Sequence, residues 1–289
     1  LEGGTGNSYF LVDEQGKRKF VVKPLDEDTG AINSTSHTSL SSYSPLRKNV
    51  PLYRGPMREV LAYRIAQIMG LESVAPKTVF SVIQSERFHD LSEHVSPQEL
   101  PRYWEQCGKP DQEKLCSVQE YVEKSQPLPE ARQNLLQAGL SEEEIADRFD
   151  PEDFENVHLL LWITYDTDGH PGNFLVYPKG IDTLGNEILG LKKIDNGLAF
   201  PDSNTQLWNM LSIMPNANQP LSDRARAKIA TINIDQLAAE FKKFGLESAI
   251  PALRQRIPFL QELAKHPMTL KEINQALRKM NTLKVGRKR

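Results

Sequence analysis

Two periodicities divide the chain. Over residues 8–13 and 19–23 apolar and polar positions alternate on either side of the turn "DEQGK", which predicts a β-hairpin. In "MREVLAYRIAQIMG" (57–70) Val60, Leu61, Ile65 and Ile68 fall near one face at helical spacing, and Gly70 marks the stop. "APKTVFSVIQS" (75–85) and "LCSVQEYV" (115–122) read as strands, and "SPQE" (96–99), a Ser-x-x-Glu cap with Pro at the first helical position, opens a short helix. From about residue 124 the period turns helical, with helix starts at "SEEE" (141–144), Asp150-Pro151 and "TLKE" (269–272). A hairpin-like pair at 173–197 interrupts the helices. Residues 26–52, rich in Ser and Thr and without a period, are expected to be a mobile insertion. The order predicts an α+β fold in two parts of unlike composition, 1–124 rich in strands and 125–289 mostly helical.

Composition narrows the function classes. With 35 basic and 38 acidic side chains the formal charge is −3, which gives no reason to expect nucleic acid as a partner. The longest strongly apolar run, "VHLLLWI" (157–163), is far short of the roughly 20 residues that span a bilayer, so no transmembrane segment is expected. Cys107 and Cys116 are the two cysteines, too few for a disulfide scaffold, and a reducing, cytoplasmic setting fits. The chain starts at Leu1 rather than Met, so sequence before residue 1 is left open.

Candidate chemistry starts at the glycine-rich Gly3-Gly4-Thr5-Gly6-Asn7-Ser8. Glycines let a backbone approach a phosphate and present N–H groups to an anion; the same stretch also reads as a plain flexible turn. Lys23 ends the second hairpin strand in "FVVKP", and a Lys there, just after a glycine-rich loop, can pair with nucleotide phosphates while a helix Glu holds it. Glu59 in "REVLAY" is the candidate partner; taken singly, each also reads as a surface charge.

"YDTDGHPGNFLVY" (165–177) sets a polar run directly against a strand, so the boundary is a loop held on something rigid. Asp168 and Asn173 have the Asp-x-x-x-x-Asn spacing of protein-kinase catalytic loops, in which Asp takes the hydroxyl proton and Asn holds a metal ion. Asp166 competes for the base role, and spacing favours Asp168. Asp195 in "KKIDNGLAF" stands where a kinase places the acid for phosphate-bridging Mg²⁺. His170 reads equally as a donor to a transferring phosphoryl group or as a loop-ordering side chain.

These motifs, "GNSYFLVDEQGKRKFVVKP", "REVLAYRIAQIMGLESVAPKT", "SVQEYV", "TDGHPGNFLVY" and "IDNGLAFP", resemble in order those of the type II phosphatidylinositol 4-kinases and their plant gamma-type relatives, over most of residues 3–201. The resemblance implies an atypical, bilobal protein-kinase-like fold, a small β-rich N-lobe and a mostly helical C-lobe, with ATP between them. It implies Lys23, with Gly4, Thr5, Gly6, Asn7 and Ser8, at the phosphates; Glu59 on the pairing helix; Gln119, Glu120, Tyr121 and Val122 as adenine-binding hinge; Asp168 in catalysis; and Asn173 and Asp195 on Mg²⁺, or Mn²⁺ in its place. Two departures stand out: Gly169 occupies a position usually held by Arg, and the cysteine-rich acylated segment of the animal enzymes is missing.

The expected activity is transfer of the ATP γ-phosphate to an inositol hydroxyl of phosphatidylinositol, at a peripheral, anionic membrane surface. Arg47, Lys48, Arg54, Arg58 and the cationic "RKMNTLKVGRKR" are the residues that would face lipid. The alternatives are a protein Ser/Thr kinase or autokinase using the same site, and a nucleotide-binding pseudokinase scaffold.

Overall fold

The computed structural model describes residues 8–28, 50, 54–86, 88, 96–99, 101, 113–204 and 207–280. Gly4 to Asn7, most of the 26–52 insertion with Arg47 and Lys48, residues 102–112 with Trp104 and Cys107, and the basic stretch 281–289 lie outside the described residues; of the helix expected after Ser96, residues 97–99 form a turn in which the Glu99 N–H bonds the Ser96 carbonyl at 2.9 Å. Among the described residues no helix is long and apolar enough to cross a membrane.

The architecture is α+β, with a β-rich N-terminal region and a mostly helical remainder, consistent with a bilobal kinase-like fold. β1 (Tyr9–Val12) and β2 (Arg18–Pro24) form the expected hairpin, turning through Gly16 at φ +78°. With β3 (Thr78–Ile83) and β4 (Lys114–Glu120) they make an antiparallel sheet in the order β1-β2-β4-β3. β4 runs between β2 and β3, setting Lys23 opposite Ser117.

α1 (Gly55–Met69) lies against β3 and β4. Pro56 suits its first turn, Asp28 Oδ2 accepts the Gly55 N–H at 2.8 Å, and Gly70 ends it at φ +62°. That contact corrects one expectation: residues 26–28, expected in the mobile insertion, belong to the packed fold. Glu27 is fully buried, receiving the Tyr9 hydroxyl at 2.5 Å and the Lys114 ammonium at 3.0 Å.

The helical remainder begins with a two-residue strand β5 (Gln126–Pro127), then α2 (Leu128–Gln137), α3 (Glu142–Arg148) and α4 (Pro151–Thr164). The predicted starts are real caps. Ser141 with Glu144 and Thr269 with Glu272 each form a capping box, and Asp150 Oδ1 accepts the Asp153 N–H at 2.8 Å. α4 is buried over nearly its whole length, with Phe154, Val157, Leu160, Leu161 and Trp162 in the main core. β6 (Phe174–Ile181) and β7 (Glu187–Lys193) follow as a hairpin joined to β5. Four helices follow, α5 (Asp223–Ala230), α6 (Ile234–Lys243), α7 (Ile250–Leu263) and α8 (Leu270–Lys279), of which α5, α7 and α8 pack against α4. The central helix therefore ends, at Tyr165, directly under the polar loop 165–173.

Candidate active site

Lys23 is the meeting point of three segments. Its ammonium lies 2.6 Å from Glu59 Oε1 and 3.0 Å from Asp195 Oδ1. β2 delivers the Lys from one face of the sheet, α1 delivers the Glu one turn inside its capped start, and the end of β7 delivers the Asp two residues later. Glu59 is 2% exposed, and its second oxygen accepts the Asn196 N–H at 2.9 Å. One carboxylate thus ties the lysine to the backbone beside Asp195. Burial works against the charge on Lys23, but Asp195 and Glu59 outweigh it and raise its pKa; Lys23 in turn holds the Asp195 carboxyl well below the usual carboxylate range. All the same, the Asp195 side chain is 47% exposed, so it faces open space as well as the lysine. Asp195 adopts φ +55°, a left-handed conformation rare for a residue with a side chain.

Asp168 sits in the loop after α4. Burial first, and the neighbouring Asp166 charge second, push its carboxyl above the ordinary range. Asn173 closes the loop: its Nδ2 donates to the Asp168 carbonyl at 2.8 Å, which leaves the amide oxygen as the group able to meet a cation. The Ile194 N–H bonds the Asn173 carbonyl at 2.9 Å, joining this loop to the Asp195 segment. Among the described residues no group of three or more His, Cys, Asp and Glu could hold a metal ion by itself. One carboxylate and one amide oxygen from separate segments are the donors that Mg²⁺ accepts when phosphate oxygens and waters complete its shell. The residues fit that cation with its nucleotide.

His170 accepts the Gly172 N–H on Nδ1 at 3.1 Å, while Nε2 lies 3.9 Å from Asp168 Oδ2. Its loop-ordering bond is present. In the expected hinge, Gln119 bonds Thr78 Oγ1 at 3.2 Å, and the N–H groups of Glu120 and Tyr121 are committed to Lys77 and Lys19 carbonyls at 2.8 and 2.9 Å. Val122 takes the Ser125 hydroxyl on its carbonyl at 2.7 Å, and among the described residues its amide has no hydrogen-bond partner. Ser8 stands immediately before β1. Arg54 is exposed at the start of α1, but Arg58 is 1% exposed and cannot face lipid as expected.

The sequence reading named Asp166 and Gly169 but missed Lys193 and the contacts that these residues make. Asp166 is fully buried 2.6 Å from the equally buried Lys193, which removes it from the competition for a solvent-facing base. The signal for Lys193 was its place in the inward series Leu189, Leu191, Lys193 of β7, where an apolar residue belongs. Gly169, the departure from Arg, packs so tightly that a Cβ would overlap the Trp208 carbonyl oxygen, and Met210 N–H bonds the Gly169 carbonyl at 3.1 Å. A long-range contact of that kind leaves no local trace.

No protein-family model matches this sequence. It is similar to "Phosphatidylinositol 4-kinase type 2-alpha" of Danio rerio, 26% identical over 244 residues that cover 71% of this chain and 51% of that protein. It is also similar to "Phosphatidylinositol 4-kinase gamma 8" of Arabidopsis thaliana, 26% identical over 290 residues that cover 96% of this chain and 48% of that protein. The chain spans about half the length of the curated relatives it matches. At that identity the similarities support a phosphatidylinositol 4-kinase-like relationship, to proteins named as kinases.

Proposed function

We propose that this chain is an ATP- and Mg²⁺-dependent phosphotransferase that transfers the γ-phosphate to an inositol hydroxyl of phosphatidylinositol, at the cytoplasmic face of an anionic membrane surface. The observation that carries the proposal is the Lys23 ammonium held at 2.6 Å by Glu59 and at 3.0 Å by Asp195. Nothing in the packing of a sheet, a helix and a hairpin end requires these charges to converge, and a nucleotide–metal complex does. The names of the two relatives supply the lipid acceptor.

Bound Mg–ATP supplies the phosphoryl group. The chain's part is positioning and charge. Lys23 neutralises phosphate oxygens, and Glu59 keeps the ammonium from collapsing onto Asp195. Asp195 and the Asn173 amide oxygen offer the cation its protein ligands. Asp168 orients the acceptor hydroxyl and takes its proton, a task suited to a carboxyl whose basicity is raised. His170 orders the loop, and Val122 leads the hinge 119–122 at the adenine. The cleft then lies between residues 1–124 and 125–289.

The test incubates the chain with labelled ATP and Mg²⁺ together with vesicles containing phosphatidylinositol, with vesicles lacking inositol lipid, or with protein alone. Label in the inositol lipid that disappears in Asp195→Ala supports the proposal. Label only in protein would replace the lipid acceptor with a Ser or Thr hydroxyl, and no transfer in any arm would favour a nucleotide-binding scaffold.

A further inference from the structure

Lys193 and Asp166 are both fully buried, and their charged groups stand 2.6 Å apart. The ammonium also donates to the Ile194 carbonyl at 2.6 Å and to the Asp195 carbonyl at 3.0 Å. The other carboxylate oxygen of Asp166 accepts the Asp168 N–H at 2.8 Å. One ion pair therefore grips the backbone of Asp168 on one side and that of Asp195 on the other.

Stability alone does not call for such a pair. Two charges taken out of water must recover their lost hydration from each other, and apolar residues of similar volume commonly serve as well or better. Phe174 and Leu191, both buried, border the same strands and would accept an apolar neighbour. What an apolar pair cannot do is hold two carbonyls and an amide at fixed places. Asp195 needs that constraint, since its φ of +55° is one that side-chain-bearing residues seldom keep unaided.

We propose that Lys193 and Asp166 are positioning residues that set the placement of Asp168 relative to Asp195 through their backbones. The inference rests on the phosphotransferase function proposed above. Both side chains are shielded from any substrate, so they act through the two aspartates and not on the phosphoryl group. Misplacement of a reacting group by about 1 Å costs on the order of 100-fold in rate, so a small slip between the two loops is enough to be measured.

The experiment compares wild type, Lys193→Arg, Lys193→Met and the double variant Lys193→Met/Asp166→Leu in thermal midpoint, Mg–ATP affinity, kcat and KM for ATP, with whichever acceptor the wild type labels. The double variant, having no buried charge, is expected to recover the thermal midpoint and to bind Mg–ATP within about threefold of wild type, while kcat stays down roughly 30-fold or more at little-changed KM. Lys193→Arg, which keeps the charge and its donors, is expected to retain at least about tenfold more kcat than Lys193→Met. A double variant with wild-type kcat, or Arg and Met variants of equal kcat, overturns the positioning role while the phosphotransferase proposal stands. If a double variant fails to fold, the Arg and Met comparison decides. A wild type that transfers no phosphate and binds Mg–ATP no better than Asp195→Ala overturns both.

Discussion

Gly169 shows how a single residue records a contact the sequence conceals. Read alone it is a departure from the Arg expected after the loop aspartate; in the fold its lack of a Cβ lets the loop lie against Trp208 and Asn209. Gly169→Ala should therefore part the loop from the 208–210 segment and destabilise the chain by roughly 1–3 kcal/mol, seen as a thermal midpoint lower by several degrees. Gly169→Arg should do no better. An unchanged midpoint in both would contradict the packing. Glu59 offers a second residue-scale prediction. Glu59→Gln removes the carboxylate that shares Lys23 with Asp195, and the ammonium is drawn to the remaining charge 3.0 Å away. Loss of one charge-assisted contact costs about 1.5–3 kcal/mol of stability, seen as a thermal midpoint lower by several degrees, and turnover falls with it; undiminished turnover would remove Glu59 from the site. Lys23, Glu59 and Asp195 were legible because each sits in a motif with its own spacing. The Lys193–Asp166 pairing was not, because Asp166 reads as a competing base and no local pattern ties it to the lysine that ends β7.

At the scale of elements, the central helix α4 carries the loop, and its stability sets the loop's. His158 lies fully buried within it, with Nδ1 2.9 Å from the Phe154 carbonyl and Nε2 without a hydrogen-bond partner among the described residues. Burial lowers its pKa from 6.5 to about 4. A base depressed in the folded state is neutral there and protonated in the unfolded chain between those values, so its contribution is intact above about 6.5 and is lost as the pH falls through about 4. The total is roughly 3 kcal/mol. Chemical denaturation of wild type and His158→Leu between pH 7 and 4 should show the wild type losing that much more stability; parallel pH profiles would refute it. Helix starts were the most readable elements, since Ser141, Asp150 and Thr269 each act within one turn of their own position. Burial on all sides of α4 depends on partners up to 112 residues away, such as the Trp162–Asn274 contact at 3.4 Å, and no local pattern carries that.

Over the whole molecule, the α+β order followed from where period two gives way to helical period. The relative placement of the sheet and the helices did not follow from it; the structure fixes it through Lys23–Glu59–Asp195, together with α1 packed on both the sheet and α4. The central claim is that this convergence builds a site for nucleotide and metal together. Calorimetric titration of ATP into the chain, with and without Mg²⁺, tests it most directly when Asp195→Ala is run alongside. Wild type is expected to bind ATP markedly more tightly with Mg²⁺ than without, and Asp195→Ala to lose that enhancement while remaining folded. Equal Mg²⁺ enhancement in the two proteins, or no ATP binding by the folded wild type, would contradict the account.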